Sequence, residues 1–167
     1  MGTSRPLHVL LVHVWYWPHV GGGDQHVEQI GRELVRRGHR VTVWCADVPA
    51  HEERRFRRGG VDVIRITPSR LLGGIDPLVS VSDLDLSDVD VVHLHDTLPV
   101  LIRRTLSKAK KAGKPVVTTY HNDYVKKTAL GRAVKRIRWA LQGRRTMHSS
   151  DAGIVLTPFF EQLLRTK

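Results

Sequence analysis

Short runs of Val, Ile and Leu alternate along the chain with longer stretches in which apolar residues recur every three or four positions. The short runs predict strands at Leu7–Val14, Arg40–Ala46, Val61–Thr67, Val91–His95, Pro115–Tyr120 and Gly153–Thr157. They show little polar alternation, as parallel strands covered on both faces do. Asp24–Arg37 carries Val27, Ile30, Leu34 and Val35 at helical spacing, and Gly38 stands where a glycine stop belongs. Thr97–Ala112 ends the same way, at Gly113 with Pro115 beyond. Lys126–Arg145 places Leu130, Val134, Ile137 and Leu141 at offsets of four, three and four, an apolar stripe expected to pack on the sheet. Ala50–Gly60 is charged and reads as a mobile loop, and Leu71–Ser82 is too irregular to assign. No internal repeat or low-complexity linker interrupts the pattern.

Strands alternating with helices indicate an α/β chain, a Rossmann-like three-layer domain with a mostly parallel six-stranded sheet. With strand order 3-2-1-4-5-6 the topological switch falls between strands one and four, and ligands bind beyond the carboxyl ends of strands at such a point. Candidate chemistry is therefore sought just after strands one, four and five.

Composition narrows the classes. A chain of 167 residues with 41% hydrophobic and 26% charged residues is a single globular domain, not a disordered chain. Its one cysteine, Cys45, excludes a disulfide framework and a cysteine-built zinc site. No unbroken apolar run exceeds the four residues of Val9–Val12, against about 20 for a spanning helix. The start of the chain offers no signal-like stretch. A soluble cytoplasmic protein is expected, with any membrane contact peripheral, on the inner face. The net charge is +11, from 27 Lys and Arg against 16 Asp and Glu. From 71 to 102 there are six acids and no Lys or Arg; from 124 to 150 there are eight bases and no acid. Such segregation suggests one basic face, open to nucleic acid, anionic lipid or phosphorylated substrates.

After strand one comes Trp15-Tyr16-Trp17-Pro18-His19-Val20-Gly21-Gly22-Gly23-Asp24. Three glycines before a helix let the backbone approach a phosphate or sugar, and the helix start offers N–H groups to an anion. The plainer reading is a flexible turn capped by Asp24. The spacing is not the dinucleotide fingerprint, whose acidic partner after strand two would have to be Asp47. The aromatics could stack on a sugar ring or lipid edge, with at least one expected in the core. After strand four, His93-Leu94-His95-Asp96 sets two histidines on one strand face, either packed in the core or part of a metal site with His121 as third ligand. His93 is expected to be buried and structural, and His95 and Asp96 to reach the ligand edge. After strand five, His121-Asn122-Asp123 is either a proton-exchanging or substrate-binding cluster or a turn that satisfies backbone groups.

These residues together resemble a family. Tyr16-x-Pro18-x-x-Gly21-Gly22 and Glu33-Leu34-x-x-Arg37-Gly38-His39-x-Val41-Thr42-Val43 are similar to the amino-terminal half of retaining glycosyltransferases of the glycogen-synthase and phosphatidylinositol-mannosyltransferase type, glycosyltransferase family 4. Asp90-Val91-Val92-His93-x-His95-Asp96, Gly113-Lys114-Pro115-Val116-Val117-x-Thr119-x-His121 and Asp151-x-Gly153-Ile154-Val155 continue the resemblance in order, from about Leu7 to Leu164. The resemblance implies half of a GT-B fold, two Rossmann-like domains facing a cleft, with this half on the acceptor side. It implies that Gly21 and Gly22, with Gly23 and Asp24 beside them, lie against the donor's diphosphate and sugar, that His121 serves by the transferred sugar, and that His95, Asp96 and Asn122 line the same cleft. It further implies retention at the anomeric carbon, a nucleotide-sugar as donor substrate with no other cofactor, and no bound metal. Residues 1–167 are then a single domain whose donor-binding partner, a further domain or a separate chain, is absent. The isolated chain is expected to be inactive.

The acceptor is expected to be a sugar or a lipid-linked group. Lys126, Lys127, Arg132, Lys135, Arg136 and Arg138 offer a basic surface to an anionic membrane, and nucleic acid is not expected. Two other classes compete: a basic membrane- or nucleic-acid-binding module reusing the fold, and a metal-dependent hydrolase built on His93, His95 and His121.

Overall fold

The computed structural model describes residues 5–72, 76–96, 99–121, 128–158 and 161–162, without the side chains of Leu72, Arg132 and Lys135. Asn122, Lys126 and Lys127, and the start of the expected second helix at Thr97, lie outside the described residues. The elements are β1 (His8–Val12), α1 (Gly22–Arg36), β2 (Arg40–Ala46), β3 (Arg55–Arg58), β4 (Val61–Ile66), β5 (Leu71–Leu72), β6 (Asp76–Pro77), β7 (Val91–His95), α2 (Val100–Lys111), β8 (Val116–Tyr120), α3 (Ala129–Arg138), a π-helical turn Trp139–Gly143, α4 (Arg144–Ser149) and β9 (Ala152–Val155).

The main sheet runs β3-β4-β2-β1-β7-β8-β9, all parallel except β3. The six expected strands take the expected order, and the switch point lies between β1 and β7. Central β1 is buried along its whole length. Leu10 and Val12 enter one core with Leu94, Leu101 and Ile102, under α2. Val9 and Leu11 enter the other with Val27, Val43 and Val63, against α1. Two covered faces explain the continuous apolar run. Each such side chain contributes roughly 1.5–3 kcal/mol by leaving water. Both helices stop at the expected glycines. Gly38 at φ 86° and Gly113 at φ 65° take the left-handed turn, and their N–H groups donate to Val35 O at 2.9 Å and Lys110 O at 3.1 Å.

Three expectations change. The segment read as a mobile loop contains β3, an antiparallel edge strand that turns into β4 through Gly59 and Gly60 at φ 57° and 83°. Two consecutive positive φ angles make a tight hairpin turn that favours glycine. The unassigned 71–82 segment forms the small β5–β6 pair. The third change is larger. The stripe Leu130, Val134, Ile137 and Leu141 faces water and does not pack on the sheet. Helical spacing says that a helix has two faces but not which one meets the domain. Here the polar edge does. Arg138 Nη2 donates to Asp76 Oδ2 at 3.2 Å, Gln142 Nε2 to Pro99 O at 3.4 Å, and the Trp139 ring meets Tyr120 edge-on at 5.3 Å.

Charge segregation in the sequence is partly undone by folding. Asp88 pairs with Arg40 at 2.6 Å, Asp90 with Arg5 at 2.5 Å and Asp76 with Arg138. Among the described residues, no helix is long and apolar enough to cross a membrane.

The loops above β1 and β2 are clipped together by a buried charge. Arg65 on β4 donates Nε to Asp47 Oδ1 at 2.8 Å, and its other nitrogens to Trp17 O and Pro49 O. Both Arg65 and Asp47 are buried, so Asp47 is a counter-ion and is not available as a ribose ligand. Breaking a buried pair from one side leaves an uncompensated charge, which costs about 3–5 kcal/mol. Asp47→Ala should lose that much stability in urea denaturation, and Asp47→Leu combined with Arg65→Met should recover most of it.

Candidate functional site

The carboxyl ends of β1, β7 and β8 meet at the switch point, where five histidines gather. His13 follows β1, His26 sits on α1, His93 and His95 belong to β7, and His121 follows β8. Alternation on β7 puts His93 and His95 on one face, their ring centroids 4.2 Å apart. His93 is buried and its Nε2 lies 2.8 Å from Thr119 Oγ1. His95, expected to reach the ligand edge, is fully buried instead. Its Nδ1 lies 3.1 Å from His121 Nε2, and its own Nε2 has no hydrogen-bond partner among the described residues. A buried orphan N–H is rarer than a buried orphan acceptor. The proton of His95 is therefore assigned to Nδ1, donating to His121 Nε2, which leaves the His121 proton on Nδ1. His95 thus acts from beneath, aiming the half-buried His121.

His13 ties this cluster to the glycine loop. Its Nδ1 lies 3.1 Å from the His95 carbonyl, and its Nε2 lies 3.2 Å from Asp24 Oδ1. Both ring nitrogens face acceptors, the arrangement of an imidazolium beside a carboxylate. The other Asp24 oxygen accepts from His19 Nδ1. Asp24, expected at the ligand, is therefore buried and shared by two histidines, and it makes no helix cap. Burial alone would push its carboxyl up, but hydrogen bonds from His13 and His19 outweigh this and hold it below the ordinary carboxylate value.

The three glycines differ. A Cβ on Gly23 would lie 2.9 Å from His13 Nε2, and one on Gly21 would lie 3.3 Å from Asp24 Oδ2, whereas one on Gly22 would meet nothing within 4 Å. Gly23 and Gly21 make room for the Asp24 clasp; Gly22 is the exposed one, at the first turn of α1. That turn leaves N–H groups without intrahelical partners. Asp96, half-buried after the end of β7, has φ 98°, a left-handed conformation rare outside glycine and enriched at working sites. Of the three aromatics before the glycines, at least one was expected in the core, and all three pack against the domain. Tyr16 is buried, Trp17 packs on Phe56 at 5.6 Å under the Arg58 guanidinium, and Trp15 lies over His19 at 5.3 Å.

Burial sets the electrostatics of the pile. It pushes His93 and His121 down to about 4, helped at His121 by the charged His13, and holds His95 well below its ordinary value. At neutral pH these rings are uncharged and work as hydrogen-bonding groups. Among the described residues, no three His, Cys, Asp or Glu side chains are placed to hold a metal ion. His13, His19 and His26 are not among the candidate residues that the sequence offers. The available signal was a histidine between strand one and a Gly-rich loop.

Residues 20–167 match the family described as Glycosyltransferase Family 4. The chain is also similar to a phosphatidylinositol N-acetylglucosaminyltransferase subunit of Arabidopsis thaliana, 28% identical over 132 residues, which cover 74% of this chain and 29% of that protein. It thus spans less than a third of the length of this curated relative.

Two measurements probe this arrangement. His93 titrates near 4 when folded against about 6.5 when unfolded, so the unfolded chain takes up the proton first as pH falls. Stability present above pH 6.5 should be lost progressively toward pH 4, by on the order of 3 kcal/mol for this ring, and His93→Gln should flatten that limb. Gly22→Ala should keep stability within about 1 kcal/mol of the parent or raise it, while Gly23→Ala should lose about 1–3 kcal/mol by displacing His13.

Proposed function

The chain belongs to glycosyltransferase family 4, and we propose that it forms the acceptor-side half of a retaining glycosyltransferase of GT-B fold that uses a nucleotide-sugar. The observation that carries this reading is the convergence of Gly22, Asp96 and His121 on the carboxyl edge at the switch point, with His121 aimed from below by His95. In this reading the open backbone at Gly22 and the start of α1 face the donor's diphosphate. The positive end of the helix favours the charge that grows there as the sugar leaves. His121, uncharged near neutral pH, donates from Nδ1 to a hydroxyl of the transferred sugar. It orients that sugar and does not supply the leaving group's proton. The acceptor hydroxyl oxygen takes the anomeric carbon on the face that the diphosphate vacates, as the bond from that carbon to the diphosphate breaks, and its proton passes to an oxygen of the departing diphosphate. Base and ribose contacts belong to a donor-binding partner, a further domain or a separate chain. Similarity to a protein named for N-acetylglucosaminyl transfer to phosphatidylinositol supports a lipid-linked acceptor of that kind.

The 167 residues assayed alone should transfer no sugar from any of a panel of nucleotide-sugars. Joined to a donor-binding domain of the family, they should form product with the donor's anomeric configuration, read by NMR. His121→Ala should lower kcat roughly a hundredfold, and Gly22→Val should raise KM for the donor without unfolding the domain. Transfer by the chain alone, or an inverted product, would overturn the assignment.

A further inference from the structure

Leu130, Val134, Ile137 and Leu141 form a row along α3 and the turn after it, 75%, 48%, 58% and 74% exposed. Among the described residues, Arg138 at the end of α3 and Trp139 and Gln142 in the turn after it reach Asp76, Tyr120 and Pro99. Tyr120 ends β8 and Pro99 precedes α2, so these contacts lay the end of α3 along the edge of the sheet that carries His121. The apolar row is turned away from the domain at the same edge as the candidate site.

Charge identifies the occupant. Residues 124–150 contain eight Lys and Arg and no carboxylate, and Arg132, Lys135 and Arg136 lie on α3 itself. A helix that only keeps a domain in solution has no use for four aliphatic side chains in line, and a nucleic acid surface would leave them in water. Aliphatics bordered by cations with no acid among them suit a helix lying in the plane of a bilayer. Its apolar face enters the acyl boundary, and the bases meet anionic headgroups.

We propose that α3 docks the domain on an anionic lipid bilayer, with the row inserted at headgroup depth and the candidate site held beside the membrane surface. Docking requires neither nucleotide nor sugar, so its success or failure is independent of the transfer assay.

Co-sedimentation of the chain with phosphatidylglycerol–phosphatidylcholine vesicles tests it. Binding should appear at low salt, fall as ionic strength rises to about 0.15 M, where the screening length is about 8 Å, and be absent with phosphatidylcholine alone. Leu130→Ser with Ile137→Ser and Leu141→Ser should weaken it by roughly tenfold or more. Arg132→Gln with Lys135→Gln and Arg136→Gln should weaken it similarly and flatten the salt dependence. Cys45 is buried, so Ile137→Cys can carry an environment-sensitive dye, whose emission should shift to the blue on anionic vesicles only. No binding to anionic vesicles, an unshifted dye, or equal binding to neutral vesicles would overturn the proposal. The first two outcomes would assign the row to a protein contact.

Discussion

The His13 ring is the joint on which the ligand edge depends. One nitrogen reaches the carbonyl of His95 on the neighbouring strand, and the other reaches the Asp24 carboxylate at the start of α1. At a switch point the loops after two adjacent strands run to opposite faces of the sheet, which opens a crevice that backbone pairing cannot close. A planar ring with a polar atom at each end spans it. Removing the ring would leave one oxygen of a buried carboxylate without its partner and release the glycine loop from the neighbouring strand.

Around this joint, charge is confined and then surrounded by neutral polar groups. The Asp24 carboxylate is held between His13 and His19, while burial above all keeps His93, His95 and His121 uncharged. A hydroxyl-rich ligand suits such a surface, because neutral donors can exchange partners without stripping water from an ion. The Arg65–Asp47 pair braces the loops after β1 and β2 through Trp17 O and Pro49 O. The edge is therefore assembled before any ligand arrives.

Much of the layout was legible in the chain. Runs such as Val9–Val12 and Val91–Val92 are apolar because both faces are covered, and Gly38 and Gly113 end their helices where the turn needs a positive φ. The order of the strands follows from the same pattern. The pattern fails where partners are distant in sequence. Nothing near Asp24 announces that two histidines will claim its oxygens, and nothing near His95 shows that it will be sealed beneath His121. β3 was hidden because Arg55, Arg57 and Arg58 mask the strand alternation, although Gly59-Gly60 marked its turn. The stripe on α3 was read correctly as a stripe. Its direction depends on Trp139 and Arg138, which no periodicity ranks above Leu130.

The two borders of the sheet are finished differently. β3 presents arginines along its outer rim, and its backbone faces any approaching strand through a screen of like charge. At the opposite border β9 is short and exposed, with Ala152, Gly153 and Ile154 in water among the described residues. Among the described residues no strand pairs beyond β9, and an open row of N–H and C=O groups beside an aliphatic side chain is a template for another strand. In concentrated solution, association should begin at this border, growing outward from β9 and leaving the arginine rim free. A single lysine at Ile154 would be the smallest change able to make the two borders alike.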